Sequence, residues 1–381
     1  MEKPAIVFDI IANIICDKQI AVEEMSEDDL KYLWSISQKH DVSHIISKGL
    51  EQITCPDGSL MLQKFKKMQT LAIYRHIQTE YELNSLIEIF ENEGIDFIPL
   101  KGSVLRNYYP EAWLRTSCDI DILVRNQDLD KAVRLLVEKY GYTFKERGLH
   151  DISLFSKGKI HLELHFDLTS EDRYSQILST VWEHCILAAN KSHQYLMNNE
   201  FFVFYHLTHM AEHFVHGGCG IRPFIDLWVI NTKMGYDEAT VVKLCEQVGL
   251  SEFYFQTKNL VSVWLESGTH TSLTLEMENF VIGAGIYGTM ENNIALNQGN
   301  DKGKSNYIFH RIFLPYEKLK RLYPGVERNK MLIPLYQVKR WVNFVFKKDK
   351  KRARQEIKVS ASISQEKVNS VKHLCSTLGL K

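Results

Sequence analysis

No stretch of this 381-residue chain approaches the roughly 18 consecutive apolar residues that a membrane-crossing helix requires. Charge of one sign is equally lacking. The formal net charge is -1, which excludes a nucleic-acid coat built on global basicity and a solvating acidic tail. The opening residues, MEKPAIVFDIIANIICDKQ, hold one short apolar stretch broken by Asp9. They have neither a basic leader nor a small-residue cleavage site, so they do not read as a signal peptide. The seven cysteines (Cys16, Cys55, Cys118, Cys185, Cys219, Cys245, Cys375) contain no CxxC pair. An odd, scattered set is expected as reduced, core-filling thiols in a cytoplasmic protein. Internal repeats and low-complexity tracts are absent as well.

What remains is a chain long enough for about two domains, with the 45% hydrophobic and 24% charged composition of an ordinary soluble protein. Residues 1–93 read as helical. Ser26 precedes three acids at the start of one helix. Residues 60–93 repeat apolar positions at three and four without Pro or Gly, giving one or two long amphipathic helices that stop at Gly94. Between 94 and 170 the texture changes. IDFIPLKG and CDIDILV read as strands, QDLDKAVRLLVEKY as a helix capped by Asn126, and GYTFKERG, HDISLFSKG and KIHLELHFDL as three further strands. From 171 to 360 helices are expected near 200–216, 222–234, 237–247, 251–266 and 328–346, with a loop at 292–306. Residues 361–381 carry little pattern and are expected as a mobile tail.

The chemistry centres on Asp119 and Asp121. On a strand, residues i and i+2 share a face, here opposite apolar Ile120, Ile122 and Val124. Two carboxylates this close repel, and each raises the other's pKa. A hard divalent cation between them removes the conflict. The alternative is an exposed strand face, solvated or salt-bridged to Arg115 or Arg125. Two features favour the cation. Gly102-Ser103 follows a strand where small residues let a phosphate approach backbone N–H groups and a hydroxyl, with a helix start behind them. Glu163 adds a third carboxylate from an alternating strand whose same face carries His161, His165 and Asp167.

Gly102-Ser103, Asp119-Ile120-Asp121-Ile122 and Leu162-Glu163-Leu164 together resemble the three-part signature of the DNA polymerase beta-like nucleotidyltransferase superfamily. Ile98 to Gly102, Tyr109-Pro110, Arg115, Asp119 to Val124 and Gly141-Tyr142 resemble more closely a bacterial family of uncharacterised nucleotidyltransferases. The likeness is tightest over 95–168 and looser through YHLTHMAEHF, Asp226-Leu227 and residues 319–341. The stretch from Ser103 to Asp119 is longer than in many relatives.

The resemblance implies an α+β fold: a polymerase-beta-like core of small mixed sheet and helices, plus a helical C-terminal domain closing the cleft. It implies Mg²⁺-dependent (or Mn²⁺-dependent) transfer of a nucleoside monophosphate from an NTP, ATP among them, to a hydroxyl-type acceptor: a small molecule, a protein side chain or an RNA end. Asp119, Asp121 and Glu163 would be the metal ligands, with Glu163 able to act as base. Lys101, Gly102, Ser103 and Arg115 would meet the phosphates, Arg115 having a structural salt bridge as its alternative. The rival reading is a catalytically silent nucleotide-binding sensor or interaction module.

Three further features stand outside that signature. His206, His209, His213 and His216 lie at helical spacing, and three readings stand for them: packing against the cleft, contacts to nucleotide (His209 and His213), or a metal site. GNDKGKS at 299–305 misses the P-loop spacing by one residue and lacks a preceding strand. KRWVNFVFKKDKKRAR at 339–354 is a basic stretch that suits either a solvated helix face or an anionic partner.

Overall fold

The structure, a computed structural model, describes residues 3–286, 288–297, 313–323, 325–346 and 363–380. Four helices open the chain: Lys3–Cys16, Glu27–His40, Ser43–Leu50 and Leu60–Glu93. Ser26 caps the second through a reciprocal pair of bonds with Asp29. The fourth runs unbroken for 34 residues and ends where Gly94 adopts φ 63°, ψ 47°, the left-handed turn that glycine takes at little cost. Its N-terminal half packs on Ser43–Leu50, while Leu83, Leu86 and Phe90 near its end sit under the sheet.

That sheet has five strands: β1 (Phe97–Pro99), β2 (Asp119–Val124), β3 (Thr143–Arg147), β4 (Asp151–Phe155) and β5 (His161–His165). Their order is β1-β2-β5-β4-β3, antiparallel except where β2 runs parallel to β5. Ile120, Ile122 and Val124 of β2 join Leu162 and Leu164 of β5 and Ile152 and Leu154 of β4 on one buried face. The long helix and Leu129, Ala132 and Leu136 cover that face. Alternation then forces Asp119, Asp121, His161, Glu163 and His165 onto the other face.

A second, larger core binds the N-terminal helices to the C-terminal ones, which include Asn199–Val215, Arg222–Val229, Glu238–Gln247 and Ser251–Leu265. Phe201, Phe204, Phe214, Phe224 and Phe253 are fully buried there. The fold is thus mixed α+β, with helices following the sheet in sequence.

Several expectations are corrected. The helix after β2 starts at Leu129, with no side-chain cap from Asn126, and its last turn, Leu135–Lys139, widens to a π-helix. A helix at Ser272–Ala284 escaped the sequence reading, and Met290–Asn297 is helical where a loop was expected. The expected mobile tail carries the helix Gln365–Thr377, which buries Val368, Val371, Leu374 and Cys375 and packs on Met290–Asn297 and Ser272–Ala284. The P-loop-like 299–305 lies outside the described residues, as do 347–354 of the basic stretch. In its described part, Trp341 packs edge-on to Phe313. Among the described residues no helix is long and apolar enough to cross a membrane, and Cys16, Cys55, Cys118, Cys185, Cys219 and Cys245 form no disulfide.

Candidate active site

The parallel register of β2 and β5 sets Asp121 directly beside Glu163 and Asp119 beside His161. The donor atoms of Asp119, His161 and Glu163 lie within 4.8 Å of one another, as do those of Asp121, Glu163 and His165. Glu163 therefore belongs to both groups. Three carboxylates converge on one patch of sheet, as a divalent cation requires.

Their charges are unequally balanced. Asp121 is 4% exposed. Its Oδ1 accepts from Lys101 Nζ at 3.0 Å and from His165 Nε2 at 2.9 Å. Burial pushes its pKa up, but these two cations reverse that and hold it below the usual carboxylate range. His165 is fully buried; burial disfavours its charge, yet the bonds to Asp121 and Glu163 raise it to about 9, so it is an imidazolium at neutral pH. Glu163 faces the same contest: burial raises it, His165 at 3.7 Å lowers it, and the net direction is down. Asp119 has no such relief. Burial, Asp121 and Glu163 push it up to about 6. The patch holds more negative charge than its own cations neutralise, which fits an added metal ion.

The turn Lys101–Ser103, expected to meet the phosphates, lies at the end of β1. Leu100 N donates to Asp121 O at 3.0 Å, fixing the turn to β2. Lys101 then adopts φ 44°, ψ -117°, a strained conformation for a residue with a side chain, and this aims its ammonium at Asp121. The following helix is only Gly102–Leu105, too short to contribute much dipole, so the expected helix-start effect is corrected to side-chain donors. Ser103 Oγ is buried without a hydrogen-bond partner. Arg106 is buried too. It donates to Gly102 O at 2.8 Å and to Ser117 Oγ at 3.1 Å, and Ser117 Oγ donates to Asp119 O at 2.9 Å. This chain of bonds ties the turn to the acid-bearing strand.

A family model described as an uncharacterised nucleotidyltransferase matches residues 26–266, more than half of the chain. The chain belongs to that family. No curated protein and no solved structure matches. In this nucleotidyltransferase family member the matched segment contains the whole sheet, the Lys101–Ser103 turn and the helix Asn199–Val215 opposite.

The remaining expected residues divide. Arg115 donates to Asp226 Oδ1 at 2.6 Å and to Thr116 O at 2.7 Å, and Tyr109 OH shares Asp226 Oδ1 at 2.6 Å. Its charge is committed to a buried ion pair, the alternative that the sequence left open. Arg222, four residues before Asp226 on the same helix, reaches instead Asp41 at 3.2 Å and Thr116 O at 2.8 Å. His209 and His213 do face the site. Their Nε2 atoms are 3.2 Å apart, one ring donating to the other. Burial and then the Lys101 cation hold His209 well below its usual value; His213, exposed at its surface, is lowered in the same direction beside Lys101. They offer hydrogen bonds rather than charge. His206 is structural, bonded to Pro223 O at 2.9 Å. Among the described residues no third donor joins the histidine stripe to make a metal site.

Sequence reasoning set aside His165, a direct partner of Asp121, although its place on the Glu163 face was visible. It assigned nothing to Glu212, on the helix of those histidines. Glu212 bonds Thr169, and burial raises its pKa to about 7.

Proposed function

We propose that this protein is a metal-dependent nucleotidyltransferase that moves a nucleoside monophosphate from an NTP to a hydroxyl-type acceptor. The reading rests above all on the in-register pairing of Asp121 with Glu163, next to Asp119, with Asp121 held by Lys101 of the turn that carries the unpartnered Ser103 hydroxyl. Asp119, Asp121 and Glu163 would hold Mg²⁺ or Mn²⁺, whose oxygen-ligand preference matches the three carboxylates. The bound ion would neutralise phosphate charge and lower the pKa of the attacking hydroxyl.

The chain's own groups do the rest. Lys101 Nζ and Ser103 Oγ orient the phosphate chain through donors aimed at its oxygens. Glu163 takes the acceptor's proton. Its side chain is 27% exposed against 6% for Asp121, so an acceptor can reach it, and His165 keeps it ionised. The acceptor oxygen forms a bond to the α-phosphorus, the bond to the bridging oxygen breaks, and pyrophosphate leaves.

The test is pyrophosphate release from each of the four NTPs with Mg²⁺ or Mn²⁺ and a cell extract as acceptor source. Release is expected from the wild type and not from Asp121→Asn. A fully active Asp121→Asn variant would refute the assignment. Nucleotide binding without turnover under every condition would favour a silent sensor instead.

A further inference from the structure

Around Lys101 stand hydrogen-bond donors that the protein leaves unused. The ammonium has three N–H bonds, and Asp121 takes one. Ser103 Oγ is buried and unpartnered. A third donor arrives from the opposite wall. Tyr205, on the helix Asn199–Val215, is 2% exposed, and its hydroxyl is also buried without a partner. Its ring packs in the larger core, and the charged groups that act on the hydroxyl are those of this site, Lys101, Asp121, Glu212 and Glu163. Buried tyrosine hydroxyls nearly always have a partner. Burial raises the Tyr205 pKa, so the group keeps its proton and acts as a donor.

Two buried hydroxyls without a partner, from segments about a hundred residues apart in the chain, thus lie about one ammonium, and the protein leaves this donor set incomplete. The component that completes it carries several acceptor oxygens. We propose that Tyr205 is a ligand of the phosphate chain, its hydroxyl donating to a phosphoryl oxygen beside those held by Ser103 and Lys101. The helical half of the molecule then grips the substrate directly and does more than cover the cleft. This assignment rests on the nucleotidyl-transfer reading but concerns a residue that reading does not use.

Tyr205→Phe keeps the ring and removes only the oxygen. The probe is inorganic tripolyphosphate with Mg²⁺, titrated calorimetrically into the full-length wild type and variant, alongside their thermal unfolding. The wild type is expected to bind, and the variant to bind about tenfold or more weakly, the usual loss for a hydrogen bond to a charged acceptor. Its melting temperature should be unchanged or higher, because an unsatisfied buried hydroxyl has been removed. Equal affinity for the probe would overturn the proposal while leaving the transfer reading intact. A clear loss of stability would also overturn it, by showing that the hydroxyl serves the fold. If the wild type bound neither tripolyphosphate nor any NTP, the transfer reading would fall first, and this one with it.

Discussion

Lys101 Nζ stands 3.0 Å from Asp121 Oδ1, from a backbone held at φ 44°. The strain and the ion pair are two sides of one arrangement: the turn that brings the Gly102-Ser103 pair beside β2 also places a cation on the most buried acid. Lys101→Met should leave Asp121 with His165 alone. We expect a loss of about 1–3 kcal/mol in denaturant unfolding, with loss of NTP binding beyond what that destabilisation explains.

Arg115, Asp226 and Tyr109 form a buried triad that ties the segment before β2 to the helix Arg222–Val229. Removing one partner strands the others. Asp226→Ala should cost about 3–5 kcal/mol, and Tyr109→Phe about 1 kcal/mol, by equilibrium unfolding. Burial opposes ionisation of Asp226, but Arg115 holds its pKa below the usual value. The folded state therefore binds this proton less readily than the unfolded one. The stabilisation is complete above the unfolded carboxylate pKa and disappears as pH falls through the folded value. The acid limb of the wild-type stability profile should flatten in Asp226→Ala.

Glu212 behaves in the opposite sense. Its folded pKa of about 7, raised chiefly by burial, exceeds the unfolded value near 4.5. The folded state binds this proton more tightly, so stability falls as pH rises from about 4.5 to 7. Glu212→Gln should be more stable than wild type at pH 8, on the order of 1–3 kcal/mol, with the difference gone at pH 4. Thermal unfolding across that range measures it.

The C-terminal helix Gln365–Thr377 buries Leu374 and Cys375 against the body of the molecule. Leu374→Ala should cost about 2–4 kcal/mol, whereas truncation of a mobile tail would cost nothing. A chain ending at residue 362 should unfold at lower denaturant than the full chain.

Much of the sheet that carries the candidate site was legible because short-range rules govern it. Alternation in DIDILV and HLELH put acids on one face and aliphatic residues on the other, and the sheet keeps both patterns. The partner of each charge was harder to see. Arg115 finds Asp226 across 111 residues, and Arg222 finds Asp41 across 181. Helical spacing, which puts Arg222 and Asp226 one turn apart on a single helix, says nothing of what a third element brings. Tyr205 sits in an apolar run, EFFVFYHL, where nothing in the pattern distinguishes a core ring from one with a hydroxyl in the site. The helix Gln365–Thr377 was missed because its apolar positions are few and its stability comes from tertiary contact.

The central claim is that Asp119, Asp121 and Glu163 act together on one divalent-cation site. Mn²⁺ binding followed by electron paramagnetic resonance, in the presence of an NTP, tests it most directly. Wild type should bind Mn²⁺, while Asp119→Asn, Asp121→Asn and Glu163→Gln, each still folded, should each bind it at least about tenfold more weakly. Unchanged Mn²⁺ affinity in all three variants would contradict the account.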